Sequence, residues 1–459
     1  MSVAREGLTE RNLYFLRQQK MQTSLVTRFP PVSLYYTNYS SIPAVIIIIM
    51  LQGVGNCDTV TKIHFYPEKR GLLMVHLLLA IIYISFISLG LPDALLGAAW
   101  PIMSEQFAVP LSYAGAISVI VSMGTITSSL LSDRLTLRFG AGKVTAFSVA
   151  LTAVALFGFS VSSQYWHLLL WAIPYGLGAG GVDAALNNYV AVHYASRHMS
   201  WLHCMWGVGA SIGPYIMGAV LTGGLVWNVG YRVISVLQIG LAIILILSIP
   251  LWRGRKQIPA EEKKNEKPLT MKEIFALPGA KEIVIAFFCY CALEQTAILW
   301  ASSYFVLKDG MDKETAAYFA SFFLIGMTVG RAVSGFLTYK LNDANMIRLG
   351  QALVVLGILV MILPFGSYAT MAGLLLVGLG CAPIYPCIIH STPAHFGEEN
   401  SQAMVGVQMA SAYSGSLLMP LIFGLIANHI SVALLPLVLG IIGLMMIFMC
   451  ERLNRIDKK

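Results

Sequence analysis

The sequence predicts an all-α polytopic membrane protein with twelve transmembrane helices in two six-helix pseudo-repeats. Of its 459 residues, 57% are hydrophobic and only 11% are charged, whereas soluble domains have roughly 25% charged residues. Long apolar runs alternate with short polar breaks, and each run is long enough to cross a bilayer, which takes about 20 residues. Backbone that crosses a bilayer is helical or forms a closed barrel, and runs as continuously apolar as these are typical of helices.

Twelve apolar runs follow an N-terminal region of a different kind. Residues 1–68 mix basic and aromatic side chains without periodicity, and their one apolar run, residues 42–51, is too short to span a bilayer. We expect this region to be a poorly structured N-terminal extension. The twelve runs cover residues 72–99, 111–132, 143–162, 165–194, 201–223, 228–251, 281–307, 314–340, 346–366, 370–394, 401–427 and 431–451.

Lysine and arginine predict the orientation of these helices. They concentrate in alternate connections and at both ends of the membrane domain, as cytoplasmic segments do. We therefore expect a multi-pass protein of the cell (plasma) membrane with cytoplasmic N- and C-termini. The net charge of +8 lies in short clusters and forms no continuous basic face, so we do not expect nucleic-acid binding.

A charged stretch and an internal repeat divide the membrane domain. Residues 253–280 form a cytoplasmic linker between a six-helix half at residues 69–252 and a second half at residues 281–459, which ends in a short cytoplasmic tail. Residues 123–135 resemble residues 329–341, and a second repeated glycine pattern places Asp183 opposite Tyr385. Two parallel halves are typical of transporters with a site at their interface near the membrane midplane.

Two carboxylates inside the apolar runs, Asp93 and Asp183, are the candidate proton-coupling residues. Inserting an Asp at the bilayer centre costs about 3 kcal/mol on insertion scales, so an acid at that depth indicates a functional site. A carboxyl group in low-dielectric surroundings can exchange a proton near neutral pH, as coupling to a proton gradient requires. The alternative is that each acid is a buried hydrogen-bond acceptor or lies shallow enough to be solvated.

Polar and aromatic side chains in the same runs are the candidate substrate-binding residues. Glu294 could bind substrate hydroxyl groups, Trp300 could stack on a sugar face, and His203 could donate to a ligand or shuttle protons. Packing roles for the aromatic residues and a structural role for His203 remain alternatives. The full candidate set is Asn187, Asn188, His203, Trp206, Glu294, Trp300, Tyr304 and Tyr385.

Three stretches carry a resemblance to a known family. They are Leu91-Pro-Asp-Ala-Leu-Leu96, Gly178-Ala-Gly-Gly-Val-Asp-Ala-Ala-Leu-Asn187 and Leu202-His-Cys-Met-Trp-Gly-Val-Gly-Ala-Ser-Ile-Gly-Pro214. With them the chain resembles the major facilitator superfamily across about residues 72–455, and within it the fucose permease group of proton-linked sugar transporters. The resemblance implies the major facilitator fold and proton-coupling roles for both acids. Trp206 stands where some sugar-binding members have a polar residue, so their sugar specificity is not implied.

The candidate gating residues are charged. Asp133, Arg134 and Arg138 resemble the superfamily's loop between the second and third helices, a cytoplasmic gating element, although Thr136 stands where a glycine is usual. Arg331 is the lone intramembrane base, and we expect it to pair with a carboxylate or with helix carbonyl groups. The seven cysteines and the histidines lack metal-ligand spacing, and no catalytic or phosphate-binding motif occurs. We therefore expect no enzyme activity, metal or cofactor.

These observations predict a secondary active transporter that works by alternating access. Its partners would be a small-molecule substrate, protons or Na⁺, and the lipid bilayer, and we expect a monomer. Acids, amides and aromatic residues favour proton-coupled uptake of a sugar or a similar small polar solute. An efflux transporter of amphipathic compounds is the nearest alternative. A transport-inactive membrane sensor that signals through residues 253–280 is an alternative of another class.

Overall fold

The computed structural model describes residues 67–110, 113–252 and 268–456. The expected N-terminal extension lies almost wholly outside the described residues, and so does much of the predicted linker. Within the described ranges, twelve helical segments are long and apolar enough to cross a membrane. The predicted all-α class and the predicted number of spans are therefore confirmed.

The spans come in two sets of six. The N-terminal half comprises α1 (Pro67–Gly90), α2 (Leu95–Gln106), α3 (Ala114–Phe139), α4 (Ala141–Ser160), α5 (Tyr165–His193), α6 (Ser196–Thr222) and α7 (Trp227–Trp252). A short helix, α8 (Met271–Ala276), precedes the second half. That half comprises α9 (Ala280–Asp309), α10 (Lys313–Leu337), α11 (Asp343–Ile362), α12 (Ser367–Phe396), α13 (Glu398–His429) and α14 (Leu435–Ile456), with a 3₁₀ turn at Val432–Leu434 before α14.

The first span is longer than predicted and is broken in its middle. The sequence predicts one run at residues 72–99, whereas α1 ends at Gly90 and α2 continues the span to Gln106. Pro92 has no backbone N–H to continue the helical hydrogen bonds, so the chain turns there. The backbone N–H of Asp93 donates instead to the Gly90 carbonyl at 3.2 Å. The break places the Asp93 side chain at a helix end, among α2, α5 and α6.

Glycines that the sequence repeat aligns lie at a helix crossing in each half. A Cβ on Gly124 of α3 would lie 3.1 Å from the backbone nitrogen of Leu177 in α5. A Cβ on Gly330 of α10 would lie 3.3 Å from the Cα of Leu379 in α12. Missing side chains at these positions let the two backbones of each pair pack closely. The corresponding helices therefore cross at corresponding residues.

Both halves present the same set of helix ends at one face of the bundle. We call this the linker face: it is the end where α7 finishes at Trp252 and α9 begins at Ala280. The opposite end is the far face. At the linker face, α8 begins with a capping box in which the Thr270 side chain accepts from the Glu273 backbone and the Glu273 side chain accepts from the Thr270 backbone. That the linker face is cytoplasmic stays a prediction.

Candidate functional site

Asp93 is held by two donors from neighbouring helices of its own half. The indole Nε1 of Trp206 in α6 donates to Asp93 Oδ2 at 2.8 Å. The hydroxyl of Tyr175 in α5 donates to Oδ1 at a longer 3.4 Å. The Asp93 side chain remains exposed. Both donors are uncharged, so the carboxylate has partners for its oxygen atoms without forming an ion pair with either of them.

Asp183 is buried, with 5% of its surface exposed, and it reaches across to the other half. Asn187 stands one turn further along α5, which puts both side chains on one face of the helix. Its Nδ2 donates to Asp183 Oδ1 at 2.7 Å. The hydroxyl of Tyr413 in α13 donates to Asp183 Oδ2 at 2.6 Å. One carboxylate therefore joins the N-terminal half to the C-terminal half.

His203 extends the Asp183 cluster. Its Nε2 lies 3.0 Å from Asn187 Oδ1. Because Asn187 donates its amide nitrogen to Asp183, its oxygen is the acceptor, and His203 carries the proton on Nε2. The ring of Tyr385 from α12 packs edge-on against the imidazole at 4.6 Å between centroids. The predicted repeat partners Asp183 and Tyr385 thus belong to one cluster between the halves.

Glu294 and Arg331 form a buried pair in the C-terminal half, as expected for an intramembrane base. Arg331 Nη2 lies 3.6 Å from Glu294 Oε1, and their side chains are 5% and 8% exposed. The guanidinium carbon of Arg331 lies 5.3 Å from the ring centre of Trp206. Among the described residues, Arg331 Nε is buried without a hydrogen-bond partner. The structure therefore places this candidate gating residue deep in the bundle, beside the candidate site.

The other candidate substrate-binding residues already use their polar atoms within the protein. Asn188 Oδ1 accepts from Ser401 across the halves at 2.5 Å. Trp300 Nε1 donates to the Pro420 carbonyl at 3.0 Å, and its ring packs on Phe423. The hydroxyl of Tyr304 accepts from Lys308 at 2.7 Å. Trp300 and Tyr304 lie towards the far face, packed within the C-terminal half and apart from the two acid clusters.

The remaining candidate gating residues lie at the linker end of α3. Asp133 is buried, whereas Arg134 and Arg138 are exposed. The Arg138 guanidinium lies over the ring of its own neighbour Phe139, 5.3 Å from the ring centre. Beside them, Gln402 of α13 donates to Ser132 of α3 across the halves at 2.6 Å.

A second group of contacts between the halves was not predicted from the sequence. Asp343, at the start of α11, accepts from Ser196 at 2.5 Å and lies 2.6 Å from His390 Nδ1. The other ring nitrogen of His390 donates to the Tyr194 carbonyl at 3.0 Å. Both ring nitrogens face acceptors, an arrangement that the imidazolium form satisfies at both atoms. These four residues fasten the halves at the linker face.

Twelve spans in two similar six-helix halves, with acids clustered between the halves, define a polytopic membrane transporter. Residues 82–369 and 310–457 match the family described as the Major Facilitator Superfamily. The chain belongs to this superfamily, whose members are transporters and not enzymes.

Relatives and solved structures agree with the family. The chain is 22% identical over 412 residues to "Bypass of stop codon protein 6" of Saccharomyces cerevisiae, covering 82% of each chain. It is 20% identical over 321 residues to the glucose/mannose transporter GlcP of Bacillus subtilis, covering 66% of this chain and 77% of the relative. The structure of the E. coli fucose:proton symporter FucP in the outward conformation matches with a TM-score of 0.66 at 16% identity, covering 81% of this chain and 98% of FucP. At that identity the likeness shows the fold alone, so membership of the fucose permease group stays a proposal.

Proposed function

We propose that the protein is a proton-coupled transporter of the fucose permease group that takes up a sugar or a similar small polar solute by alternating access. It would act in the plasma membrane with its linker face towards the cytoplasm. The observation that carries the proposal is that Asp93 and Asp183 are both held by uncharged donors.

Uncharged donors leave these acids able to change their protonation state. Within the described ranges, neither acid forms an ion pair, whereas Glu294 is paired with Arg331. Removing the charge from one member of a buried ion pair leaves the other unpaired, which is strongly destabilising. Asp93 and Asp183 can gain a proton without that penalty, and Glu294 cannot. Proton coupling therefore fits the two acids of the N-terminal half.

The charges around the site favour a neutral solute over an anion. Arg331, the base beside the site, is already compensated by Glu294. Asp93 and Asp183 add two further acids, so an anionic solute would meet net negative charge whenever they are ionised. Hydroxyl groups can both donate to carboxylates and accept from amides or indole groups. The similarity to GlcP, a glucose/mannose transporter, and to FucP, a fucose:proton symporter, supports a sugar as the solute.

Uptake into proteoliposomes under an imposed pH gradient tests the proposal. The probes are radiolabelled fucose, glucose, mannose and xylose, each measured with and without a protonophore. We expect gradient-driven accumulation of at least one probe in the wild type, and its loss in Asp93→Asn and in Asp183→Asn. Glu451→Gln is the matched control, because Glu451 pairs with Arg348 at the surface, away from both clusters. Undiminished accumulation in both Asp variants would contradict the assignment of proton coupling to these acids.

Other outcomes would favour the alternatives. Replacing the pH gradient by a Na⁺ gradient shows which cation is coupled. Thermal stabilisation by lipophilic cations and by none of the sugars would favour efflux of amphipathic compounds, since a ligand stabilises the state that it binds. Sugar binding without flux, together with capture of a partner by residues 253–280, would favour a membrane sensor.

A further inference from the structure

Trp206 is the side chain that joins an acid of one half to the ion pair of the other. Its indole N–H donates to Asp93 in the N-terminal half, and the face of the same ring meets Arg331 of α10. A guanidinium over an indole face is attracted by the electron density of the ring. Asp93, Trp206, Arg331 and Glu294 therefore form one continuous link from half to half.

The Arg331 end of this link is not fixed by its own ion pair. Charge-assisted hydrogen bonds between nitrogen and oxygen are about 2.7–2.9 Å long, whereas Arg331 and Glu294 approach to 3.6 Å. Arg331 Nε has no hydrogen-bond partner among the described residues, although it is buried. The Trp206 ring therefore helps to position the guanidinium group, together with Glu294 and the neighbouring Tyr290.

We propose that Trp206 is a positioning residue that links the charge on Asp93 to closure of the linker face. When Asp93 is ionised, it holds the indole N–H, and the indole holds Arg331 of the opposite half. A hydrogen bond to an ionised acceptor is roughly twice as strong as a neutral one, and indole can only donate. When Asp93 gains a proton, this link weakens, and separation of the halves at the linker face becomes less unfavourable. The inference rests on the proposed proton site at Asp93 and adds the route by which that proton acts.

Other titratable groups surround the two ends of the link. The groups that face Asp93 are Tyr175, Asp183 and Tyr413. Those that face the Arg331–Glu294 pair are His203, Cys204, Tyr290, Cys291, Cys381 and Tyr385. Tyr175 is the useful comparison, because it donates to the same carboxylate as Trp206 but belongs to α5 and stays within the N-terminal half. Removing the Tyr175 hydroxyl changes the surroundings of Asp93 but leaves the link from Asp93 through Trp206 to Arg331 intact.

A native cysteine reports whether the linker face is closed. Cys387 is 0% exposed, and its Sγ lies 3.9 Å from Ser196 Oγ across the halves. In the full-length protein in nanodiscs, a membrane-impermeant maleimide should reach Cys387 only when the linker face opens. Peptide mass spectrometry assigns the modified cysteine. Rates are compared between variants at the same pH, so that ionisation of the thiol cancels.

We expect Trp206→Phe, which keeps an aromatic ring near Arg331 but lacks the N–H, to raise the Cys387 alkylation rate about tenfold at alkaline pH. Asp93→Asn should have a similar effect, and the double variant should alkylate no faster than Asp93→Asn alone. The ratio of the wild-type alkylation rate to the Asp93→Asn rate should rise towards one as the pH falls, because protonated Asp93 is uncharged like Asn. In the Trp206→Phe background the same ratio should stay near one at every pH, which a merely structural role would not produce. Tyr175→Phe should raise the rate less than Trp206→Phe does.

Three results would overturn the link: a wild-type rate in Trp206→Phe, multiplying effects in the double variant, or an equal effect of Tyr175→Phe. If Trp206→Phe is not monodisperse in detergent, Glu294→Gln/Arg331→Gln cuts the other end without leaving a lone charge, and it should also make the rate insensitive to Asp93→Asn. The assay needs no solute, so a failure of sugar uptake does not affect it. An Asp93→Asn rate equal to wild type would also overturn the link, because the charge on Asp93 would then not hold the linker face closed; the proton site itself is tested by the uptake of Asp93→Asn under the pH gradient.

Discussion

Replacing Tyr413 by phenylalanine should open the linker face, because it removes the hydroxyl that joins α13 to Asp183. That hydrogen bond is 2.6 Å long and ends on a carboxylate that is only 5% exposed. A hydrogen bond to a charged group contributes about 1.5–3 kcal/mol, and each 1.4 kcal/mol or so changes an equilibrium tenfold. When the halves separate, water can replace the hydroxyl as the donor to Asp183. Tyr413→Phe therefore destabilises the closed state and leaves the free energy of the open state unchanged. The ratio of open to closed molecules should therefore rise about 10- to 150-fold.

The alkylation rate of Cys387 measures this change directly, since the thiol is buried between the halves. The matched control is Tyr231→Phe, which removes the hydroxyl of another buried tyrosine inside the N-terminal half, where the ring stacks on Phe159. We expect Tyr231→Phe to alkylate at the wild-type rate. If Tyr413→Phe also alkylates at that rate, the Asp183–Tyr413 bond does not hold the closed state together, and the reasoning is refuted.

Three further predictions concern other parts of the molecule. Asp343→Ala should speed backbone hydrogen exchange at the linker end of α12 about tenfold or more, because it removes the acceptor of Ser196 from the opposite half and of His390, which itself donates to the Tyr194 carbonyl across the halves; an unchanged exchange rate would show that this cluster does not hold the linker face. A Cβ on Gly209 would collide with the backbone carbonyl of Ile87, so Gly209→Ala should lower the thermal unfolding temperature, whereas Gly218→Ala of the same helix, with open space around it, should not. The pKa of Glu273 lies below its ordinary value because the Thr270 backbone N–H and hydroxyl donate to its carboxylate. This stabilisation of α8 is present above the ordinary glutamate pKa and is lost as the pH falls through the lowered one, so the protection of the α8 amides against hydrogen exchange, relative to intrinsic exchange at the same pH, should fall in acid. A pH-independent ratio of the wild-type exchange rate to that of Thr270→Ala would contradict this prediction.

The number of spans and the two intramembrane acids can be predicted from the sequence, because each is recognised from a short stretch of neighbouring residues. An apolar run that is long enough to cross a bilayer specifies a helix without reference to the rest of the chain. Asp93 and Asp183 are anomalies within such runs, so they stand out without a structure. The repeated pattern around Gly124 and Gly330 is likewise visible in the sequence, whereas the helix crossings that these glycines make are seen only in the structure.

The contacts between the halves join residues that are far apart in the sequence, and no short sequence pattern indicates them. Tyr413 lies 230 positions from Asp183, and a tyrosine in an apolar helix is indistinguishable from a packing residue. Asp343 and His390 lie near helix ends, where charged residues are common for reasons of solvation. The sequence marks Trp206 as a candidate substrate-binding residue, whereas its hydrogen bond to Asp93 and its contact with Arg331 of the opposite half are visible only in the folded structure.

The two acids reach the opposite half by separate routes, and this separation suits a coupled transporter. Asp183 bonds to Tyr413 directly, whereas the proposed link from Asp93 passes through Trp206 and Arg331. On the proposed mechanism, a proton on one acid weakens one link and leaves the other in place. Contributions from separate sites add in free energy, so two losses of about tenfold each multiply to about a hundredfold. Because each proton weakens only one of these two charge-dependent links, opening is favoured most when both acids have lost their charge or a bound solute has replaced one of the links.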